Sequence, residues 1–246
     1  MSRAFLLLCF ACSWPTVSFA QDDFSVAGLR AKALKALADG DNRAAVENAD
    51  AILRQKPDSP VVMRQAADIY LRAGKVKYAV RLFDKYLEKE KDQMPFLWQR
   101  GIALYFAKDF KAGVTQFEVH RKVNPNDVEN AAWHYLCLAK ADSIDKAKQN
   151  VLPAPNDPRP PMKEVLEMLK SGDTALVVKK MESLDAKSDE RKSADFYGHF
   201  YLGLYADAHG KADDAKKHMD KAATDAPHNY MGDVARVYAA FLKDEL

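Results

Sequence analysis

The sequence predicts an all-α protein, a right-handed superhelical solenoid of stacked helical hairpins that ends in a capping helix. The main observation is a period of 34 residues. Turn positions recur in one phase, at Gly40, Gly74, Lys108, Asp142 and, two periods later, Gly210. Five residues beyond each stands a small residue: Ala45, Ala79, Gly113, Ala147 and Ala215. A helix–turn–helix unit of this length cannot bury its own apolar face, so the copies must stack.

The first unit shows how each hairpin is delimited. It runs from 26 to 59, and its helix A is expected to end near the turn at 39–41. Helix B is expected from about Arg43 to Arg54, because Pro57 cannot continue a helix. Pro125 and Pro227 stand in the same phase. The next units begin at residues 60, 94 and 128, and the fourth is cut short after residue 152.

The segment 153–161 holds five of the chain's 11 prolines and is expected to be an extended crossing. Two short helices, Met162 to Lys170 and Thr174 to Leu184, should follow in one 34-residue slot. We interpret them as a degenerate repeat that continues the stack, with a hinge between two halves as the alternative. The last full unit spans 196–229.

A final helix is expected from Tyr230 to about Lys243, with one apolar face formed by Val234, Val237, Tyr238 and Phe241. Solenoids need such a helix to cover an exposed end, so a capping role is expected.

The chain resembles the tetratricopeptide repeat family. The family has a small residue where helix A packs against helix B, and the chain has Ala33, Ala67, Gly101 and Gly203 at that phase. A large residue fills the gap to the next unit at Phe83 and Phe117. The resemblance implies a concave surface, lined by the A helices, that holds a protein or peptide.

The C-terminal half also resembles NlpI-type bacterial envelope adaptors. The resemblance rests on residues 133–136, the proline-interrupted gap, residues 200–203 and residues 228–230. Those adaptors begin with a lipidated cysteine, which this chain lacks in convincing form. The resemblance implies an adaptor of the bacterial envelope and leaves the partner open.

Both ends carry targeting signals. Arg3, an apolar stretch over 4–12 and the small-x-small motif at 18–20 predict a signal peptide over 1–20. Only Cys137 then remains, so no intrachain disulfide is expected. The last four residues, 243–246, read Lys-Asp-Glu-Leu, which retains proteins in the endoplasmic reticulum of a eukaryote. We expect a periplasmic or otherwise extracytoplasmic protein if the source is bacterial, and a luminal one if it is eukaryotic.

Composition and motifs exclude several functions. The formal charge of +2 is spread along the chain, which argues against a nucleic-acid partner. No later segment reaches the apolar length of a membrane span. Neither metal-ligand spacing, nor a phosphate loop, nor a nucleophile motif occurs, so no cofactor, metal or enzymatic activity is expected.

The predicted domains are therefore the signal peptide (1–20), about four units (21–152), the crossing (153–161), and the degenerate repeat, final unit and capping helix (162–246). The resemblance places the partner-binding residues on the A helices: Arg30, Arg64, Gln65, Asp68, Trp98, Gln99, Tyr105, Trp133 and Tyr201. Exposure in the groove is favoured for Trp98 and Tyr105, and packing for Trp133 and Tyr201.

We expect an exported, non-catalytic scaffold that binds a protein or peptide in its concave groove. One alternative is a structural homodimer that assembles through the final helix. The other is a binding protein of the endoplasmic reticulum lumen that resembles a co-chaperone.

Overall fold

A computed structural model describes residues 24–243, so the predicted signal peptide and the last three residues lie outside the described chain. This part is helical, with no β-strand. The helices are α1 (Val26–Ala38), α2 (Asn42–Gln55), α3 (Pro60–Arg72), α4 (Val76–Lys89), α5 (Trp98–Phe106), α6 (Phe110–His120), α7 (Val128–Ala141), α8 (Ile144–Gln149), α9 (Met162–Ser171), α10 (Ala175–Glu182), α11 (Asp189–Ala208), α12 (Ala212–Thr224) and α13 (Tyr230–Leu242), with a 3-10 helix, Lys91–Phe96, between α4 and α5.

The helices pair into antiparallel hairpins, and each hairpin packs against the next, as the 34-residue period predicts. The all-α solenoid is confirmed. Close packing depends on small residues at the expected phase: a Cβ placed on Gly101 would lie 2.5 Å from the Phe117 ring of the partner helix. Ala33, Ala67 and Ala79 are fully buried for the same reason. Larger side chains there would force the paired helices apart.

Four turns at the predicted phase share one backbone feature, whereas Asp142 at the fifth has φ of −138°. Gly40, Gly74 and Gly210 have φ of 77°, 76° and 70°, and Lys108, in the same phase, has φ of 64°. Glycine adopts this left-handed region freely, whereas a side chain there costs about 1–2 kcal/mol. The backbone of Lys108 is therefore strained, whereas the glycines at the equivalent positions are not.

The proline-rich crossing is tied to the stack by Arg159. Its guanidinium donates to Asp157 at 2.7 Å, to Asp127 at 3.1 Å and also to Glu129 of α7. After the crossing, α9 packs on α7 and α8, and α10 packs on α11, so the hairpin α9–α10 fills a place in the stack.

The final helix, α13, occupies a position that the sequence did not predict. It packs on α12, as a cap would, but it also packs on α3 and contacts α5, α7 and α11 through aromatic rings. Its apolar residues Val234, Val237 and Tyr238 are buried. The helix thus lies along the concave face and does not merely cover the end. The face that we expected to pair two copies is buried within one chain.

Two histidines meet between the paired helices α11 and α12. The Nδ1 atoms of His199 and His218 are 2.9 Å apart, so one ring must be neutral to accept the hydrogen bond. Burial, then the positive charge of Lys221 and the neighbouring His218, lower the pKa of His199 to about 4. Burial and Lys217 lower the pKa of His218. Asp195 and Asp225 oppose the shift at His199, and Asp214 opposes it at His218.

We predict that Lys108→Gly raises the free energy of unfolding by about 0.5–1 kcal/mol. Relief of roughly 1–2 kcal/mol of left-handed strain should exceed the roughly 0.4–1 kcal/mol gained by the unfolded chain from an added glycine. Urea unfolding at pH 7.5 measures the change. Gly74→Ala, which introduces the same strain, should act in the opposite direction. An unchanged or lower stability for Lys108→Gly would contradict the strain.

We predict that stability falls as the pH drops from about 6.5 towards 4. Because the folded-state pKa values of His199 and His218 lie below the unfolded value, these two histidines bind protons more readily in the unfolded chain, which favours unfolding as the pH falls. Urea midpoints at several pH values measure this, and His218→Gln should flatten the profile between pH 6.5 and 5. The same slope in both proteins would show that the pair does not govern it.

Candidate binding site on the concave face

The concave face is formed by helices α3, α5, α7 and α11, with α13 lying across them. Tyr238 of α13 stacks on Tyr105 of α5, with ring centroids 5.7 Å apart and planes 9° from parallel. Trp133 and Phe200 pack around Tyr238 at 6.1 and 6.5 Å. Aromatic pairs at such distances stabilise beyond the area they bury. The helix is therefore held by an aromatic core in the middle of the face.

Asp207 of α11 is the polar centre of this core. Its carboxylate accepts hydrogen bonds from the hydroxyls of Tyr105 and Tyr238, and from Lys140 Nζ at 3.0 Å. Burial, followed by the nearby charge, raises the pKa of both tyrosines well above the usual value. The phenols therefore stay protonated and donate, so the cluster locks helices together.

A second polar contact joins α13 to the N-terminal half of the chain. Arg72 of α3 donates to the Asp233 carboxylate from Nη2 at 2.6 Å and from Nε at 2.7 Å. The two side chains are 14% and 5% exposed, so solvent screens the pair weakly. Arg72 also lies over the Tyr230 ring, 5.1 Å from its centroid. Residues 161 positions apart are thereby joined.

Two cavities remain on either side of the N-terminal end of α13. The arginine cavity, of about 330 Å³, is lined by Arg30, Val61, Arg64, Gln65, Asp68, Phe83, Tyr86, Gln99 and Tyr230. The tryptophan cavity, of about 350 Å³, is lined by Trp98, Ile102, Phe117, His120, Asp127, Glu129, Asn130, Trp133, Tyr197, Asn229, Tyr230 and Met231. Tyr230 borders both cavities and divides the face.

The predicted site residues divide between these places. Arg30, Arg64, Gln65, Asp68 and Gln99 meet in the arginine cavity. Trp98 and Trp133 line the tryptophan cavity. Seven of the nine predicted residues therefore line a cavity. Tyr105 and Tyr201 line neither cavity and are each 1% exposed.

The expected exposure of Tyr105 is wrong. Its ring faces the concave side, as the hairpin phase predicts, but α13 covers it through Tyr238. Trp98 is half-buried and packs edge-on against Tyr230, with ring centroids 4.8 Å apart. Tyr201 is fixed by a hydrogen bond of 2.8 Å from its hydroxyl to Glu129. Neither Tyr105 nor Tyr201 is accessible to a partner.

The arginine cavity has an incomplete set of hydrogen bonds. The buried atoms Gln65 Oε1 and Gln99 Oε1 find no hydrogen-bond partner within residues 24–243. The Asp68 carboxylate and the Tyr230 hydroxyl are buried beside them, and burial, together with the Asp68 charge, raises the pKa of Tyr230. Burial raises the pKa of Asp68 in spite of Arg72 nearby. Unpaired buried acceptors are costly, so the cavity favours an occupant that supplies donors.

The sequence analysis missed the residues of α13 that shape the site. Tyr230, Asp233 and Tyr238 were assigned to a capping helix. One signal could have revealed their role: Asp233 stands four residues before Val237 and three after Tyr230, on the apolar face of its helix. A carboxylate at such a position needs a buried basic partner.

No group of three or more His, Cys, Asp and Glu side chains between residues 24 and 243 is placed to hold a metal ion. Cys137 is buried, and burial raises the pKa of its thiol, so the thiolate is disfavoured. Over the same residues, no helix has the length and apolar character needed to cross a membrane.

Comparison with known proteins identifies one segment clearly. The family model of the tetratricopeptide repeat matches residues 36–99. A curated relative, the protein SGT1 homolog of Bos taurus, is 31% identical over 102 residues. The match covers 42% of this chain and 30% of the bovine protein, so the chain spans less than a third of that relative.

Two solved structures show a partial likeness. The MamA RS-1 ArsTM double mutant has a TM-score of 0.45 at 16% identity, with 81% of this chain and 93% of that chain covered. A tetratricopeptide repeat protein from Parabacteroides merdae has a TM-score of 0.42 at 15% identity. The match covers 89% of this chain and 74% of that protein. The resemblance of the C-terminal half to NlpI-type proteins stays a prediction.

We predict that Tyr238→Phe lowers the free energy of unfolding by about 1–2 kcal/mol. The substitution keeps the ring but removes a buried donor to Asp207, and a buried acceptor that loses a partner costs on this order. Chemical unfolding at pH 7.5 provides the measurement. The matched control is Tyr78→Phe. Because Tyr78 is 53% exposed, removing its hydroxyl should change the free energy of unfolding little. Equal effects of the two substitutions would contradict the role of Asp207.

Proposed function

We propose that this chain, whose residues 36–99 match the tetratricopeptide repeat, is a non-catalytic scaffold for protein–protein interactions. The proposed site is the pair of cavities beside Tyr230, and the proposed occupant is an extended peptide segment of a partner protein. The single observation that carries the proposal is the set of unpaired buried polar atoms that converge on the arginine cavity.

A peptide backbone matches this cavity because it presents donors and acceptors at short, regular intervals. Its N–H groups can donate to Gln65 Oε1 and Gln99 Oε1, which have no protein partner within the described residues. Its carbonyls, or acidic side chains, can accept from the guanidiniums of Arg30 and Arg64. Arg30 is exposed and Arg64 half-buried, so both can reach an occupant.

The tryptophan cavity suits a side chain of the same segment. Its apolar walls include Trp98 and Tyr197, and aromatic walls of this kind anchor partner side chains at interfaces. Two buried polar atoms there, Asn130 Oδ1 and Trp133 Nε1, have no hydrogen-bond partner among the described residues. A polar side chain with an apolar stem would satisfy both features.

We also propose that the chain is exported. The support is the signal-like sequence of 1–20. The bacterial periplasm and the endoplasmic reticulum lumen both fit this sequence. A homodimer through α13 is disfavoured, since Val234, Val237 and Tyr238 are buried against the chain's own helices.

The binding proposal is tested by selecting peptides from a random phage-displayed library on the chain from residue 21. Fluorescence anisotropy then compares an enriched peptide on the wild type, Arg64→Ala and Gln99→Ala. We expect each variant to weaken binding by about tenfold or more, as loss of a buried polar contact does. Circular dichroism checks that each variant is folded.

The control is Arg43→Ala, since Arg43 is exposed on α2 and its partner among the described residues is Glu47, one turn away. It should bind the enriched peptide as the wild type does. Enriched peptides that bind Arg64→Ala and Gln99→Ala as tightly as the wild type would contradict the assignment of the cavity.

A further inference from the structure

A third cavity lies away from the concave site. It is formed by the turn between α3 and α4, the turn between α5 and α6, and the end of α13. Its volume is about 480 Å³, and its lining is Gly74, Lys75, Val76, Lys77, Tyr78, Phe106, Ala107, Lys108 and Phe241. We call it the lysine cleft. It shares no lining residue with the arginine cavity or the tryptophan cavity.

The floor of the lysine cleft is aromatic. Phe106 is buried, Phe241 is half-buried, and Tyr78 is 53% exposed. The rings of Phe106 and Phe241 are 5.4 Å apart, so they form one continuous apolar surface. Tyr78 is one of a few large apolar side chains so exposed in the described chain, and it lies at the rim of this surface.

The rim of the lysine cleft is positively charged. Lys75, Lys77 and Lys108 are all exposed, and no acidic residue lines the cleft. Within residues 24–243, none of the three lysines has an ion-pair partner. Lys108 Nζ lies 6.0 Å from the Phe241 ring centroid, so the charge sits directly over the aromatic floor. Three unpaired like charges in one cleft favour an anionic occupant.

Lys108 supplies an independent observation. It holds the left-handed conformation, with φ of 64°, where Gly40, Gly74 and Gly210 provide the same geometry without strain. The chain therefore keeps a lysine at a position where its own repeats use glycine. Strain of this kind is often associated with function, and here it places a charge over Phe241.

We propose that the lysine cleft docks an acidic segment of a second protein partner. An aromatic or aliphatic side chain of that segment packs on Phe106 and Phe241 beside Tyr78. Its aspartate and glutamate side chains pair with Lys75, Lys77 and Lys108. The scaffold then holds two partners at once, one on the concave face and one at these turns.

A protein segment fits better than a nucleic acid or a membrane. The positive charges surround one compact cleft and do not form a stripe along the chain, whose 37 basic and 35 acidic residues nearly balance. The cleft also has an apolar floor large enough for one or two side chains, which a phosphate backbone would leave unused. Charge and aromatic surface together match an acidic peptide with an apolar anchor.

The test uses a fluorescein-labelled peptide, Glu-Asp-Phe-Glu-Asp-Leu-Glu, and measures its anisotropy with the chain from residue 21. We expect saturable binding that weakens as salt rises, and at least about a tenfold loss for Lys75→Gln/Lys77→Gln and for Tyr78→Ala. The matched control, Lys163→Gln/Lys187→Gln, removes the same charge from exposed lysines elsewhere and should bind as the wild type does. Equal losses in the two double variants would overturn the proposal.

Lys108→Gly gives the sharpest result. It should weaken peptide binding several-fold while raising the thermal midpoint, because it removes the charge and the strain together. A residue with a purely structural role would not move these two readings in opposite directions. Unchanged binding by Lys108→Gly would overturn the proposal.

The remaining comparisons separate this site from other ligands and from the concave site. Replacing the phenylalanine of the probe with alanine should weaken binding, and a single-stranded oligonucleotide should bind far more weakly than the peptide. An oligonucleotide or anionic vesicles that bind as tightly as the peptide would overturn the proposal. Arg64→Ala should retain the acidic peptide, so failure of the concave site and failure of the lysine cleft can be distinguished.

Discussion

The packing of α13 along the concave face is the contact on which the rest of the site depends. Tyr238 stacks on Tyr105, both donate to Asp207, and Asp233 pairs with Arg72 of a helix near the start of the chain. A stack of hairpins otherwise joins only neighbouring units. Here the last helix joins units that are far apart in sequence, so the curvature of the stack and the shape of its inner surface are fixed together.

This packing decides how the surface can be used. An open groove would offer a long strip of A-helix residues, whereas α13 covers its middle and leaves one cavity on each side of Tyr230. The concave face therefore presents two small, separate cavities and not a continuous trough. The A–B turns carry the additional charged cleft around Lys108, outside this division. In our proposal, the concave cavities and the cleft at the turns hold two different partners.

The sequence predicted the local structure of the chain well. The 34-residue phase and the prolines predicted the hairpins, and the expected bounds of the final helix agree with α13 within one residue at its C-terminal end. It could not predict where α13 packs. The spacing of Val234, Val237 and Tyr238 shows that one face is apolar, but it does not identify the surface that covers that face. For the same reason, Tyr105 has the phase of a groove residue yet is buried.

The double-mutant cycle of Arg72→Ala and Asp233→Ala tests the position of α13 most directly. The two residues are 161 positions apart and meet only if the final helix crosses the concave face to α3. We expect the summed effects of the single substitutions on the free energy of unfolding to differ from the effect of the double substitution by about 1–3 kcal/mol. Effects that add within about 0.5 kcal/mol would show that the residues do not interact, and the account of the concave site would be wrong.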